Sequence, residues 1–294
     1  MLLFQADELS SRKAGKEVQT VNGRDYNPLS PEERRVIVEK GTEPPFSGEY
    51  NEHFANGVYC CRRCGAELYE SDSKFRSHCG WPSFDDEIEG AVCRVPDADG
   101  VRTEIVCANC GGHLGHVFVG EQLTPKNIRH CVNSLSLRFV PADERPHLER
   151  AVFAGGCFWG VEYHLQQLPG VRTVVSGYTG GKVPYPSYRQ VCSGNTGHVE
   201  AVLVRYDPSL VSYRDLAKVF FEIHDPTQKD GQGPDIGSQY RSAVFWYDDE
   251  QRRIVESLIA ELRQRGLDVA TRVQKAGPFY AAEPYHQNYY LRKG

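Results

Sequence analysis

Ala151-Val152-Phe153-Ala154-Gly155-Gly156-Cys157-Phe158-Trp159-Gly160 runs a short apolar strand into two glycines and then into a helix, whose inner face continues as Phe158, Val161, Leu165 and Leu168. The glycines let the backbone turn tightly, and the helix N-terminus offers partial positive charge and free N–H groups. Both are expected to lower the pKa of the Cys157 thiol, and the thiolate is the nucleophile. An isolated Gly-Cys pair is more often a small core cysteine at a turn, but Gly156-Cys157-Phe158-Trp159-Gly160 as a unit is more specific. Downstream, strands and helices alternate. Val199 to Tyr206 is a strong strand. Ser212, with Asp215 three residues on, caps a helix with Leu216, Val219, Phe220 and Ile223 inside. Ser242 to Tyr247 is another strand, and Asp248 or Asp249 opens a helix with Ile254, Leu258 and Leu262 inside, closed by Gly266. The second half is therefore α/β or α+β. Gly177-Tyr178-Thr179-Gly180-Gly181 lacks the Gly-Lys-Ser/Thr of a phosphate loop, which argues against nucleotide binding.

Upstream the pattern changes. Pro141 to Arg150 is charged, holds two prolines and has little apolar content, so a linker is placed at 142–150. From Gly57 to Val140 the segments are short and separated by Gly, Pro and Asp. Val58 to Cys60, Val92 to Val95, Val101 to Val106, Val117 to Val119 and Leu135 to Val140 read as strands, with a hairpin connection at Asp97-Ala98-Asp99-Gly100. This half is mainly antiparallel β, in two sheets or a small barrel. Before it, Ser30, Pro31 and Glu33 form a helix start, Val36 and Ile37 give an apolar face, and Gly41 ends the helix. The expected organisation is an extension at 1–25, a β-rich domain at 26–141, the linker, and a second domain at 151–294.

Bulk properties exclude several classes. The 294 residues suit two domains, and a formal net charge of −5 speaks against nucleic acid as the main partner. No apolar run approaches bilayer length, and Met1 to Asp7 has no basic start, so no membrane and no secretory signal is expected. Ten cysteines without an export signal point to a reducing, cytoplasmic setting, in which metal binding or catalysis outranks structural disulfides.

Cys61-x-x-Cys64 and Cys107-x-x-Cys110 supply four thiolates in two knuckles, the ligand set of a closed structural zinc site. Cys60 competes with Cys61, but Cys61 has the usual spacing to Cys64. His113 and His116, just downstream, would then be available for acid–base work near neutral pH, although spacing alone favours two ordinary core or surface histidines.

Several words are recognisable together. The first half resembles methionine sulfoxide reductase B through Gly41-Thr42-Glu43, Phe46 to Tyr50, Cys79-Gly80-Trp81-Pro82-Ser83-Phe84, His113 to Phe118 and Arg129-His130-Cys131-Val132-Asn133-Ser134. The second resembles methionine sulfoxide reductase A through Gly155 to Gly160, Gly177 to Gly181, Cys192-Ser193-Gly194, Gly197-His198-Val199-Glu200, Asp235 to Ser242 and Tyr285-His286-Gln287. For the second half the resemblance implies an α–β sandwich with a ferredoxin-like core.

The resemblance implies reduction of methionine sulfoxide, in oxidised proteins or as the free amino acid, with the R epimer taken by the first domain and the S epimer by the second. In the first domain Cys131 matches the nucleophile and Cys79 the resolving cysteine, whose disulfide thioredoxin or another thiol would reduce. His113, His116, Arg129 and Asn133 match residues that organise the sulfoxide and its proton, and Trp81 would pack on the methyl group. His78 stands where glycine is common. In the second domain Cys157 matches the nucleophile, Phe158 and Trp159 hold the methyl, and Glu200 is the acid, needing a raised pKa from burial. Tyr188, Asp235 and Tyr240 match groups that bind oxygen and water. Zinc is the one cofactor implied, and no organic cofactor is expected. No cysteine follows Cys192, for which a structural role is expected, so the second site is expected to work with one catalytic cysteine and an external thiol. Two other readings stand beside this one: a thiol peroxidase or disulfide oxidoreductase, and a non-catalytic zinc interaction module.

Overall fold

The computed structural model describes residues 19–21 and 24–293. A short hairpin, β1 (Gln19–Val21) and β2 (Arg24–Tyr26), spans the end of the stretch expected to be an extension, whose other residues fall outside the described ones. Helix α1 (Pro31–Ile37) starts as expected: the Ser30 hydroxyl accepts from Glu33 N–H while the Glu33 carboxylate accepts from Ser30 N–H. It stops at Ile37, short of Gly41, after burying Val36 and Ile37.

The strands that follow are β3 (Gly57–Cys61), β4 (Glu67–Glu70), β5 (Lys74–Phe75), β6 (Ser83–Phe84), β7 (Val92–Pro96), β8 (Thr103–Cys107), β9 (His113–Val119), β10 (Ile128–Val132) and β11 (Leu137–Pro141). They form two antiparallel sheets, one ordered β5-β6-β10-β9-β8-β7 and one ordered β11-β3-β4. Strand β10 was not anticipated. Its polar residues Arg129 and His130 are both buried, which erases the alternation that marks a half-exposed strand. The strand expected from Leu135 starts at Leu137, because Ser134–Ser136 is a 3-10 turn. Tyr59, Tyr69, Phe84, Leu68, Ile105 and Leu114 fill the core of this half.

The second half begins with β12 (Glu149–Ala154), so the connection is Ala142 to Leu148 and shorter than expected. There follow α2 (Phe158–Leu165), β13 (Val171–Thr179), α3 (Tyr188–Cys192), β14 (Val199–Tyr206), α4 (Tyr213–Glu222), β15 (Gly231–Gln232), β16 (Asp235–Ile236), β17 (Ala243–Trp246), α5 (Asp249–Gln264), β18 (Arg272–Lys275), β19 (Tyr280–Ala281) and α6 (Tyr289–Lys293). The main sheet is ordered β18-β17-β12-β14-β13-β19, with only the β17–β18 pair parallel. Helices α4 and α5 start at Ser212 and Asp248, whose side chains accept from Asp215 and Gln251 N–H. Phe153, Phe158, Leu165, Leu216, Phe220 and Val255 pack between sheet and helices.

The halves share a third core. Cys93, Val106 and Ala108 of the first pack with Val152, Ala154, Val175, Leu203 and Phe279 of the second. Polar contacts ring it. Glu89 accepts from Arg150, Tyr247 and the Phe279 N–H, Cys93 Sγ donates to the Ala282 carbonyl at 3.2 Å, and Asn288 Nδ2 donates to the Asn109 carbonyl at 2.9 Å.

Candidate active sites

In the first half the register of β9 against β10 sets His116 opposite Cys131. Gly115 makes the approach possible: at φ 153° it holds a conformation that favours glycine, and a Cβ there would sit 2.0 Å from the Cys131 carbonyl oxygen. The Cys131 and Cys79 sulfurs are 3.7 Å apart. Cys79 also takes hydrogen bonds from the Ser77 hydroxyl at 3.1 Å and Arg129 Nη1 at 3.4 Å. The hydrogen bond from Cys131, acting against burial, pulls Cys79 down to about 4. The same bond, together with burial, pushes Cys131 up. Sulfurs this close titrate as one unit, losing a first proton readily and holding the second.

The carboxylates around this pair carry no signature of their own in the sequence. Glu121 grips Arg129 through two bonds, to Nε at 2.7 Å and to Nη2 at 2.9 Å. His113 Nδ1 meets Glu104 at 2.7 Å, and Glu104 also takes Lys40 at 2.8 Å. Burial lowers the His113 pKa despite that carboxylate, and its buried Nε2 has no partner among the described residues. His116 Nε2 meets Asp97 at 2.5 Å. Asn133 donates from Nδ2 to the Leu114 carbonyl and accepts the Glu43 N–H, so its amide engages two backbone groups. The buried Glu43 carboxylate accepts the Ser134 and Leu135 N–H groups, and its backbone carbonyl receives Trp81 Nε1 at 3.1 Å. His78 holds φ 58°, a region that costs a side-chain-bearing residue roughly 1–2 kcal/mol and explains why glycine suits the position.

Away from these thiols, Cys61, Cys64, Cys107 and Cys110 gather so that all four sulfurs lie within 4.8 Å of one another, a set that could hold a metal ion. Cys60, the residue before Cys61, is not among them. Burial pushes its thiol up to about 12.

In the second half Cys157 is the N-cap residue of α2, reached through Gly156 at φ 89°, where a Cβ would strike the Gln232 side chain at 2.5 Å. The expectation that the helix N-terminus lowers this thiol fails. Burial first, then the charge of Glu200, pushes it up to about 12, and the helix backbone only partly offsets them. Glu200, on β14 and fully buried, accepts the Phe158 N–H at 3.1 Å. Burial, opposed by that bond and aided by Asp235, raises its pKa to about 7, as the sequence reading required. The Asp235 charge acts on both Cys157 and Glu200, and Tyr188 and Tyr240 both feel the charge of Glu200, so these groups converge on one site.

An aromatic wall closes the site. Trp159 donates Nε1 to His286 Nδ1 at 3.2 Å and stacks on Tyr289 at 3.7 Å, while Phe158 lies 5.1 Å from the His286 ring. Burial lowers His286 to about 4, leaving it neutral. Glu283 accepts from the Tyr178 hydroxyl at 2.9 Å and from the Tyr188 N–H at 2.8 Å. His286 belongs to a word quoted above, yet the pairing of Trp159 with it, and the role of Glu283, were missed. Cys192 is exposed.

Comparison with known proteins agrees with this division. Residues 149–294 match the family model of peptide methionine sulfoxide reductase, and residues 29–141 match the SelR domain. The peptide methionine sulfoxide reductase MsrA of Natronomonas pharaonis is 51% identical over 143 residues, covering 48% of this chain and 80% of that protein. The chloroplastic peptide methionine sulfoxide reductase B2 of Arabidopsis thaliana is 59% identical over 121 residues, covering 41% of this chain and 59% of that protein. Reduced Mxr1 from Saccharomyces cerevisiae aligns at 35% identity over 50% of this chain and 86% of that one, with a TM-score of 0.47. The chain belongs to the peptide methionine sulfoxide reductases, with a type B domain first and a type A domain second.

Proposed function

We propose that the chain reduces both epimers of methionine sulfoxide to methionine, the R epimer at Cys131 and the S epimer at Cys157. The observation that carries the reading is the placement, in each family-matched half, of a thiol beside acid–base groups: the buried His113 and half-buried His116 in the first, the buried Glu200 in the second. A sulfoxide oxygen is a poor leaving group until protonated, so a nucleophilic sulfur without a proton donor would accomplish little.

At the second site a thiol plus a sulfoxide becomes a sulfenic acid plus a thioether, which balances without further reagents. Glu200 protonates the sulfoxide oxygen, the Cys157 sulfur attacks the sulfoxide sulfur, the oxygen passes to Cys157, and Glu200 regains the thiol proton. The neutral Cys157 thiol fits this order, in which it gives up its proton as its sulfur attacks. Phe158 and Trp159 form the pocket for the S-methyl group, and Tyr188, Tyr240 and Asp235 hold the oxygen and water. An external thiol then condenses with the sulfenic acid, releasing water, and a second thiol frees Cys157.

At the first site the acid work falls to His113 and His116, held by Glu104 and Asp97. Arg129, fixed by Glu121, stabilises charge on the sulfurs, Asn133 and Glu43 hold the loops, and Trp81 faces the methyl. Cys79 attacks the sulfenic acid on Cys131, giving a disulfide and water, and a dithiol such as thioredoxin reduces the disulfide. The 3.7 Å sulfur separation supports this route.

Cys61, Cys64, Cys107 and Cys110 are read as a structural zinc site. Sulfurs 3.6 and 3.7 Å apart suit the edges of a tetrahedron with zinc–sulfur bonds of about 2.3 Å. The strand order β17-β12-β14-β13, with α2 and α4 as crossovers, is read as a ferredoxin-like core. No helix among the described residues is long and apolar enough to cross a membrane. We take oxidised proteins and free methionine sulfoxide as substrates and a reducing compartment, the cytoplasm, as the setting.

Rates on separated epimers test the division. Cys131→Ser should lose only R-epimer turnover and Cys157→Ser only S-epimer turnover. Loss of both epimers in either variant, or of neither, would sink it.

A further inference from the structure

Tyr185 belongs to the type A half but sits against the type B half. Its hydroxyl accepts from Arg94 Nη2 at 3.2 Å, and its ring lies 4.0 Å below the Arg94 guanidinium. Tyr185 is flanked by Pro184 and Pro186 and holds φ 47°, a left-handed conformation that costs a tyrosine energy. A residue kept in that conformation between two prolines has its direction imposed by the segment around it.

Arg94, on edge strand β7, continues inward. Its Nη2 lies 3.4 Å from Glu87 and 3.3 Å from His130 Nε2. Glu87 also meets His130 Nε2 at 3.0 Å, and the Tyr69 hydroxyl meets His130 Nδ1 at 3.1 Å. His130 is fully buried and is the residue before Cys131 on β10. Side chains alternate along a strand, so clamping the His130 ring on one face sets where Cys131 stands on the other. Tyr185 completes the outer end of that clamp, where Arg94 would otherwise meet water.

We propose that Tyr185 of the type A half is a positioning residue for R-epimer reduction at Cys131 in the type B half. The cation over its ring and the hydrogen bond to its hydroxyl hold Arg94 against Glu87 and His130, so the R-epimer site is complete only with the second half in place. The inference rests on Cys131 being the nucleophile for the R epimer. Cys131→Ser tests that premise alone, because R-epimer turnover surviving in that variant would remove the premise whatever Tyr185 does.

The experiment uses the full chain and single turnovers with the R epimer, giving a saturating rate and a half-saturating concentration. Tyr185→Ala should lower the saturating rate roughly three- to ten-fold and leave half-saturation within twofold, because small displacements of a reacting atom act on rate. Tyr185→Phe keeps the ring under Arg94 and should recover most of the loss. Arg94→Gln should show a similar loss with S-epimer turnover unchanged, which also reports that the chain is folded. The double variant Tyr185→Ala/Arg94→Gln should be no slower than the worse single variant. An unchanged R-epimer rate in Tyr185→Ala, multiplied losses in the double variant, or an equal fall on both epimers without recovery in Tyr185→Phe would each overturn the proposal.

Discussion

Replacing Glu200 by Gln tests the second site most sharply, because the role proposed for this one buried group ties rate and stability there to the same proton. The carboxyl is fully buried, accepts the Phe158 N–H at 3.1 Å, and has its pKa raised from 4.5 to about 7 by burial. Gln keeps the shape and the acceptor and removes the proton. Positioned acids contribute typically 10²- to 10⁴-fold, so S-epimer turnover should fall by about that range while R-epimer turnover persists. Wild-type S-epimer rate should decline as pH rises through about 7, where the acid loses its proton, and the residual rate of Glu200→Gln should lack that limb. Stability follows the same proton. The folded pKa lies above the unfolded one, so the stabilisation from the protonated carboxyl is whole below pH 4.5 and lost as pH rises through about 7. At about 1.4 kcal/mol per pH unit the loss is about 3 kcal/mol. Urea unfolding at pH 4.5 and pH 8 should show it in the wild type and not in Glu200→Gln. A variant that keeps S-epimer turnover within a few-fold of wild type, or shows the same pH-dependent loss of stability, would refute the assignment of the acid.

Cys79→Ser should leave a single R-epimer turnover intact and stop repeated turnover with thioredoxin, and peptide mapping of the wild type after one turnover should find a Cys79–Cys131 disulfide. One turnover with the S epimer should consume no pair of protein thiols, and a mapped Cys157–Cys192 disulfide would reject the one-cysteine route. The chain should carry about one zinc by metal analysis, and chelation should unfold the first half, seen as sharply increased proteolysis between residues 57 and 141, because a closed four-sulfur site supplies folding energy. Asn288→Ala removes the 2.9 Å bond from its amide to the Asn109 carbonyl, and denaturant unfolding should show a loss of about 0.5–1.5 kcal/mol.

Local chemistry was legible wherever the signal lay within a few residues. The caps at Ser30, Ser212 and Asp248 needed only their own turn, and the Cys-x-x-Cys knuckles needed only spacing. The words around Cys131 and Cys157 were legible too, because the reactive sulfur and its neighbours are contiguous. Strand β10 was not, since its buried Arg129 and His130 find their partners elsewhere: Glu121 for one, Tyr69 and Glu87 for the other. The roles of the supporting carboxylates escaped for the same reason, that of Glu43 included although its word was quoted. Glu43 reaches Ser134 across 91 positions, and Glu283 reaches Tyr178 across 105.

From the residues alone came two thiol chemistries on one chain and a β-rich half before an α-and-β half, while the need for a buried acid at Glu200 came with the family resemblance. Tertiary packing decided the protonation of the thiols and the union of the halves. A helix N-terminus acts over one turn, whereas desolvation depends on everything packed around an atom, so burial overrode the local dipole at Cys157. Likewise nothing short-range announces that Tyr185 meets Arg94 or that Cys93 faces Ala282, because those contacts exist only once two separately patterned cores are pressed together.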